Sequence, residues 1–151
     1  MSGSGLKDQI QEQMHAAMKS GDRTAVGTLR LLTAAITNQE KELRHELTDD
    51  EVREVAGREV KKRTESIEAF EGAGRQELAD KERAEREILT AFAPEQLSDA
   101  EVEALIDEAI AATGATSPKE MGKVMGVVMG KAKGRVDGSA VQRLVLAKLG
   151  A

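Results

Sequence analysis

Apolar residues recur at three- and four-residue intervals along the whole chain, the spacing of one face of a helix. Leu6, Ile10, Met14 and Met18 mark a first helix that stops at Ser20-Gly21. Asp22 can cap a second, with Val26, Leu29, Leu32, Ile36 and Leu43 on its inner face. Thr48-Asp49-Asp50-Glu51 is a capping box, in which the threonine hydroxyl and the glutamate carboxylate satisfy each other's backbone N–H. The helix it opens carries Val52, Val55, Val60, Ile67 and Phe70 and runs to Gly72–Gly74. A fourth, from about Arg75, carries Leu78, Ile88, Leu89 and Phe92 and ends before Pro94.

Ala93-Pro94-Glu95-Gln96-Leu97 is the best boundary, because proline biases the residue before it away from helix. Ser98-Asp99-Ala100-Glu101 is a second capping box, opening a helix with Val102, Leu105, Ile106, Ala109 and Ile110 that closes at Gly114. Ser117-Pro118-Lys119-Glu120 is a third, with proline at the favoured first helical position, and it opens a helix holding Met121, Val124, Met125, Val128 and Met129. Asp137-Gly138 leads into a last short helix with Val141, Leu144, Val145 and Leu149. No segment alternates with period two for long enough to form a strand. The pattern predicts an all-α protein: a four-helix, bundle-like N-terminal domain at residues 1–94 and a small three-helix C-terminal domain at 95–151. Short connections make the N-terminal helices antiparallel neighbours.

Met121–Gly138 (MGKVMGVVMGKAKGRVDG) departs from what folding alone requires. Glycine recurs every fourth residue at Gly122, Gly126, Gly130, Gly134 and Gly138, with Lys123, Lys131, Lys133 and Arg135 between. Each glycine inside a helix costs about 1 kcal/mol relative to alanine. A face without side chains lets another backbone come close, either a neighbouring helix or a phosphodiester chain. Met121, Met125 and Met129 run in step and read as gap-filling core residues.

Charge is segregated along the chain. The net charge of −5 divides into −4 for residues 1–94, −6 for 95–118 and +5 for 119–151. A basic C-terminal third on an acidic protein can hold a polyanion locally, weakly and in a salt-sensitive way. There are no cysteines, which removes disulfides and thiol chemistry. At 151 residues the chain can build a core without a staple. No apolar run is long enough to span a bilayer and no signal pattern opens the chain, so a cytoplasmic protein is expected. Met1–Gly5 (MSGSG) has the composition of a flexible stretch.

Catalytic chemistry is missing from the pattern. Glu12…His15 and Glu42…His45 have di-iron-like spacing, but the two pairs fall on the order of 20 Å apart along their helices. Surface histidines are the better reading, and no metal is expected. Gly126–Lys131 (GVVMGK) is a residue short of a phosphate loop and lies inside a helix. No serine or histidine stands in a nucleophilic arrangement. No cofactor and no enzymatic activity are expected.

The glycine-row segment, followed by a short Val/Leu helix, resembles the C-terminal tail domain of the B subunit of glutamyl/aspartyl-tRNA amidotransferase. Glu59–Phe70 (EVKKRTESIEAF), Gly74-Arg75, Glu82…Glu85, Ala17-Met18-Lys19, Leu29-Arg30 and Pro94–Leu97 resemble the free-standing YqeY-like relatives of that domain. The resemblance covers essentially the whole chain beyond the first five residues. It implies a helical module that contacts the body of a tRNA. The amidase signature and the ATP and metal cradle of the enzyme are absent here, so glutamine-dependent amide transfer is not expected of this polypeptide.

Two functions follow. In the first, a tRNA-binding accessory module, Lys123, Lys131, Lys133, Arg135 and Arg143 neutralise phosphates while Gly126, Gly130, Gly134 and Gly138 admit the ribose-phosphate backbone. With no Trp or Tyr, and Phe70 and Phe92 at core positions, base stacking is nearly unavailable and recognition is of shape and phosphate. In the second, a protein-interaction adaptor, the N-terminal helices dock on a tRNA-charging or amidotransferase enzyme through Arg63, Ser66 and Arg75. Intrahelical ion pairs account for much of the charge around those three residues.

Overall fold

A computed structural model describes residues 5–132 and 134–150; Met1–Ser4, Lys133 and Ala151 lie outside the described residues. It is all-α: α1 (Leu6–Ser20), α2 (Arg23–Leu43), α3 (Asp49–Gly72), α4 (Gln76–Thr90), α5 (Asp99–Thr113), α6 (Met121–Ala132) and α7 (Gly138–Lys148). No strand occurs among the described residues. The chain divides into two compact units, Met1–Pro94 and Glu95–Ala151. No helix is long and apolar enough to cross a membrane.

Caps set the helix ends of the N-terminal unit. Gly21 adopts the left-handed conformation (φ 77°) that ends α1, with the Asp22 N–H donating to the Ala17 carbonyl at 3.0 Å. The Asp22 carboxylate then accepts from the Ala25 N–H at 3.0 Å and starts α2, so α1 and α2 are joined by a two-residue turn. Both halves of the Thr48–Glu51 box are formed at the head of α3. The core between these helices holds Ile10, Leu29, Leu32, Ile36, Val52, Val55, Leu89 and Phe92. At one end Lys7 Nζ donates to Glu40 at 2.7 Å, and the same carboxylate oxygen accepts the Leu47 N–H at 2.9 Å. These two donors hold the Glu40 carboxyl below the usual range, Lys7 first and the Leu47 N–H next.

The most extensive helix pair is α3 with α4, and it holds a buried ion cluster among its apolar contacts. Arg63, only 9% exposed, donates from Nη1 to Glu59 at 2.9 Å and from Nε to Glu85 at 3.1 Å. Glu82 Oε2 lies 3.6 Å from the same Nε, an ion-pair distance, yet is buried without a hydrogen bond. Burial first, and then the neighbouring Glu85 charge, push the Glu82 carboxyl above its ordinary value, with Arg63 opposing. A raised carboxyl contributes stability that is present below its unfolded pKa and is lost as pH rises through the folded one. Glu82→Gln is therefore expected to stabilise the unit near neutral pH by about 1 kcal/mol. It should leave little difference at pH 4, and urea unfolding at the two pH values reads the change.

Several expectations are corrected. Met18, placed with the inner residues of α1, and Leu43, placed on the inner face of α2, are both exposed. Each lies in the last turn of its helix, and beyond α2 it is Leu47 that is buried. Leu144 is likewise exposed on α7. Phe70 is half-buried rather than central. Pro118–Glu120 forms a separate 3-10 turn before α6, so the third box opens that turn rather than the glycine-row helix itself.

Candidate nucleic-acid interface

The C-terminal unit closes around the inner faces of its three helices. Val102, Ile106 and Ala109 of α5, Val124 and Val128 of α6, and Val141 and Val145 of α7 are buried in one cluster. Ser98 caps α5 with both halves of its box formed, and Gly114 ends it in the left-handed conformation (φ 69°). The Ser98 N–H and hydroxyl hold the Glu101 carboxyl below its usual range. Ahead of α6 the Glu120 carboxylate accepts from the Thr116 N–H at 2.6 Å and the Ser117 N–H at 3.3 Å, which lowers its pKa, with Lys123 adding a smaller effect.

With 3.6 residues per turn, a position two residues from a buried valine lies about 160–200° round the helix from it. Gly122, Gly126 and Gly130 therefore face away from the Val124–Val128 stripe, and all three are exposed. A Cβ built on any of them would have nothing within 4 Å. The glycine row packs against nothing in this unit. Lys123 is exposed beside it, and Lys131 is exposed in the last turn of α6. Met121 and Met125 pack against the core, and Met129 is half-buried, so the methionines lie between core and glycine row.

The five-glycine repeat is not one helix face. Gly134 lies beyond α6, at φ 80°, where only glycine is unstrained. Gly138 is the first residue of α7, whose cap is the Asp137 carboxylate accepting from the Ser139 N–H at 3.2 Å. Arg135 is half-buried and has a structural task. Its Nε donates to the Glu95 carbonyl at 2.8 Å, and its own carbonyl accepts from the Leu97 N–H at 2.9 Å. Arg143 is exposed on α7. Lys148 of α7 donates to Asp107 of α5 at 3.0 Å, which raises its pKa. Lys133 lies outside the described residues.

The three N-terminal candidates differ in exposure. Arg63 is buried in the α3–α4 seam with Nε and Nη1 donating to carboxylates, so it serves the fold. Sequence spacing shows its partner Glu59, one turn away, but not Glu82 and Glu85, which the α3–α4 hairpin delivers. Ser66 is half-buried, and Arg75 is exposed at the N-cap of α4. His15 is exposed, and His45 meets the Glu46 carbonyl at 2.7 Å. Among the described residues no group of His, Asp and Glu could hold a metal ion.

The chain is similar to "Altered inheritance of mitochondria protein 41, mitochondrial" of Pyrenophora tritici-repentis, with 30% identity over 104 residues. That match covers 68% of this chain and 58% of the relative, so the chain spans less than two thirds of that protein's length. It is also similar to "Uncharacterized protein C22F3.15" of Schizosaccharomyces pombe, with 32% identity over 94 residues, covering 62% of this chain and 76% of the relative. The pattern of the family described as Yqey-like protein matches residues 7–149, and the chain belongs to that family.

Proposed function

We propose that this chain is a non-catalytic, cytoplasmic tRNA-binding accessory module, its C-terminal unit related to the tail domain of the glutamine-dependent tRNA amidotransferase. One observation carries the reading: three glycines of α6, Gly122 in its first turn and Gly126 and Gly130 further along, open onto empty space. Their cost of about 1 kcal/mol each is not recovered by packing inside the unit. A backbone from outside is the remaining use for a face without side chains. Lys123 and Lys131 favour a phosphodiester backbone, Lys133 adds charge in the same segment, and Arg143 adds it on α7. Phe92 is buried and Phe70 half-buried, so base stacking has no exposed aromatic ring to use. A folded tRNA, read by shape and phosphate, fits this surface better than a single strand.

The adaptor alternative, docking on a tRNA-charging or amidotransferase enzyme, loses Arg63 to the interior and retains the exposed Arg75 and half-buried Ser66. Changing Lys123, Lys131, Lys133 and Arg143 together to Ala tests the tRNA reading, with bulk tRNA as the probe. Arg135 is left in place because it ties the segment at Glu95 to the turn after α6. Binding at low salt is expected to fall by at least about tenfold, since each phosphate contact adds to the electrostatic affinity. Unchanged binding would refute the assignment.

A further inference from the structure

The turn between α1 and α2 carries a surface that the tRNA reading does not use. Two open grooves of about 380 and 370 Å³ lie side by side there. Met18 and Arg30 line the first, Leu31 and Lys81 line the second, and Arg23 and Gly27 line both. Met18 is 50% exposed and Leu31 is 54% exposed, the two most exposed large apolar side chains of the described residues. Gly27 sits in the first half of α2, where glycine is destabilising relative to alanine. A Cβ there would meet nothing within 4 Å, so its absence serves no internal packing. It leaves a low saddle joining the grooves.

The charges are also lopsided. Among the described residues neither Arg23 nor Arg30 makes an ion pair, although the unit as a whole is acidic. The acids there are already engaged: Asp22 caps α2, and Glu85, which lines the second groove beside Lys81, accepts from Arg63. The complement of such a surface is acidic and bears aliphatic side chains long enough to enter two grooves. A phosphate backbone matches the arginines and leaves Met18 and Leu31 uncovered. The outer face of α5 on a second copy supplies Glu103, Asp107 and Glu108, but its exposed apolar residues Ala104, Ala111 and Ala112 are too short to fill the grooves.

We infer that the paired grooves astride Gly27 dock an amphipathic helix of a partner protein, acidic on one flank and carrying large aliphatic residues along its seam. This stands independently of the tRNA reading. The test uses the full chain and two synthetic helical peptides of about 18 residues, with leucines at i, i+4 and i+7. One bears glutamates at its polar positions and the other lysines, and fluorescence anisotropy reads binding. The glutamate peptide is expected to bind at least about tenfold more tightly, a discrimination set by charge complementarity. The pair Arg23→Glu and Arg30→Glu should weaken it at least about tenfold. Met18→Gln with Leu31→Gln, and separately Gly27→Gln, should weaken it severalfold, which general charge attraction would not do. Each substituted residue is exposed, so folding is preserved. Equal binding of both peptides, or indifference to the Met18, Leu31 and Gly27 changes, would overturn the inference. So would displacement of the peptide by tRNA together with loss of tRNA binding in the Arg23/Arg30 variant, which would mark a nucleic-acid surface.

Discussion

Arg63→Ala is expected to lower the stability of the N-terminal unit by about 3–5 kcal/mol, the usual cost of removing one member of a buried ion pair. The residue is 9% exposed and faces three carboxylates, Glu59, Glu82 and Glu85. Its loss removes from the α3–α4 seam the one buried cation that all three share. Glu59 retains Lys62 at 3.0 Å, whose side chain is largely in water, whereas Glu82 keeps only the weaker pull of Lys81 and Glu85 loses the one ion pair it makes. Against a typical total of about 5–15 kcal/mol, the change brings the unit near the edge of folding. Arg63→Lys should cost less, because charge is kept while the planar fork that reaches two helices is lost. Burial already pushes the Glu82 carboxyl up, so its protonation as pH falls should shrink the Arg63→Ala penalty. Urea unfolding followed by circular dichroism measures all three. A loss below about 1 kcal/mol, the range of an exposed ion pair, would mean that the seam is better solvated than its burial indicates.

Replacing Gly122, Gly126 and Gly130 together by Ala is expected to raise the stability of the C-terminal unit by about 2–3 kcal/mol. Most substitutions act in the opposite direction. The gain follows from an open helix face: each new methyl group meets nothing, and each alanine lowers the entropy lost on folding. Under the tRNA reading the same variant binds tRNA at least about tenfold more weakly, because three methyl groups hold the phosphate backbone away from the helix. Thermal unfolding and tRNA binding on one preparation separate the possibilities. Greater stability with weaker binding supports a functional glycine row. Greater stability with unchanged binding removes the row from the site. Loss of stability would show that the row packs against something after all.

The parts of the fold legible in the sequence are those set by neighbours a turn away. The Thr48–Glu51 and Ser98–Glu101 boxes and the Asp22 and Asp137 caps lie where the residue types demand. Leu29, Leu32 and Ile36, and likewise Val124 and Val128, are buried as their spacing requires. What spacing could not show depends on where helices end and what faces them. Leu43 keeps the heptad phase of Ile36 but falls in the last turn of α2 and stays exposed. Arg63 looks like one half of a surface pair until α4 brings Glu82 and Glu85 onto it. Gly134 continues the four-residue repeat yet serves a turn, since the helix stops two residues earlier. Even the open face of Gly126 was invisible in the repeat, because glycines that admit a neighbouring helix have the same spacing.

The central claim is that the basic glycine-row segment holds the phosphate backbone of a folded tRNA. Its most direct test is a salt titration of bulk tRNA binding, with wild type beside the Lys123/Lys131/Lys133/Arg143 alanine variant. For the wild type, log K should fall with log salt at a slope of roughly −2 to −4, as a few phosphate contacts require, and the variant should lose most of that slope. Equal slopes, or no binding by either protein at low salt, would contradict the claim.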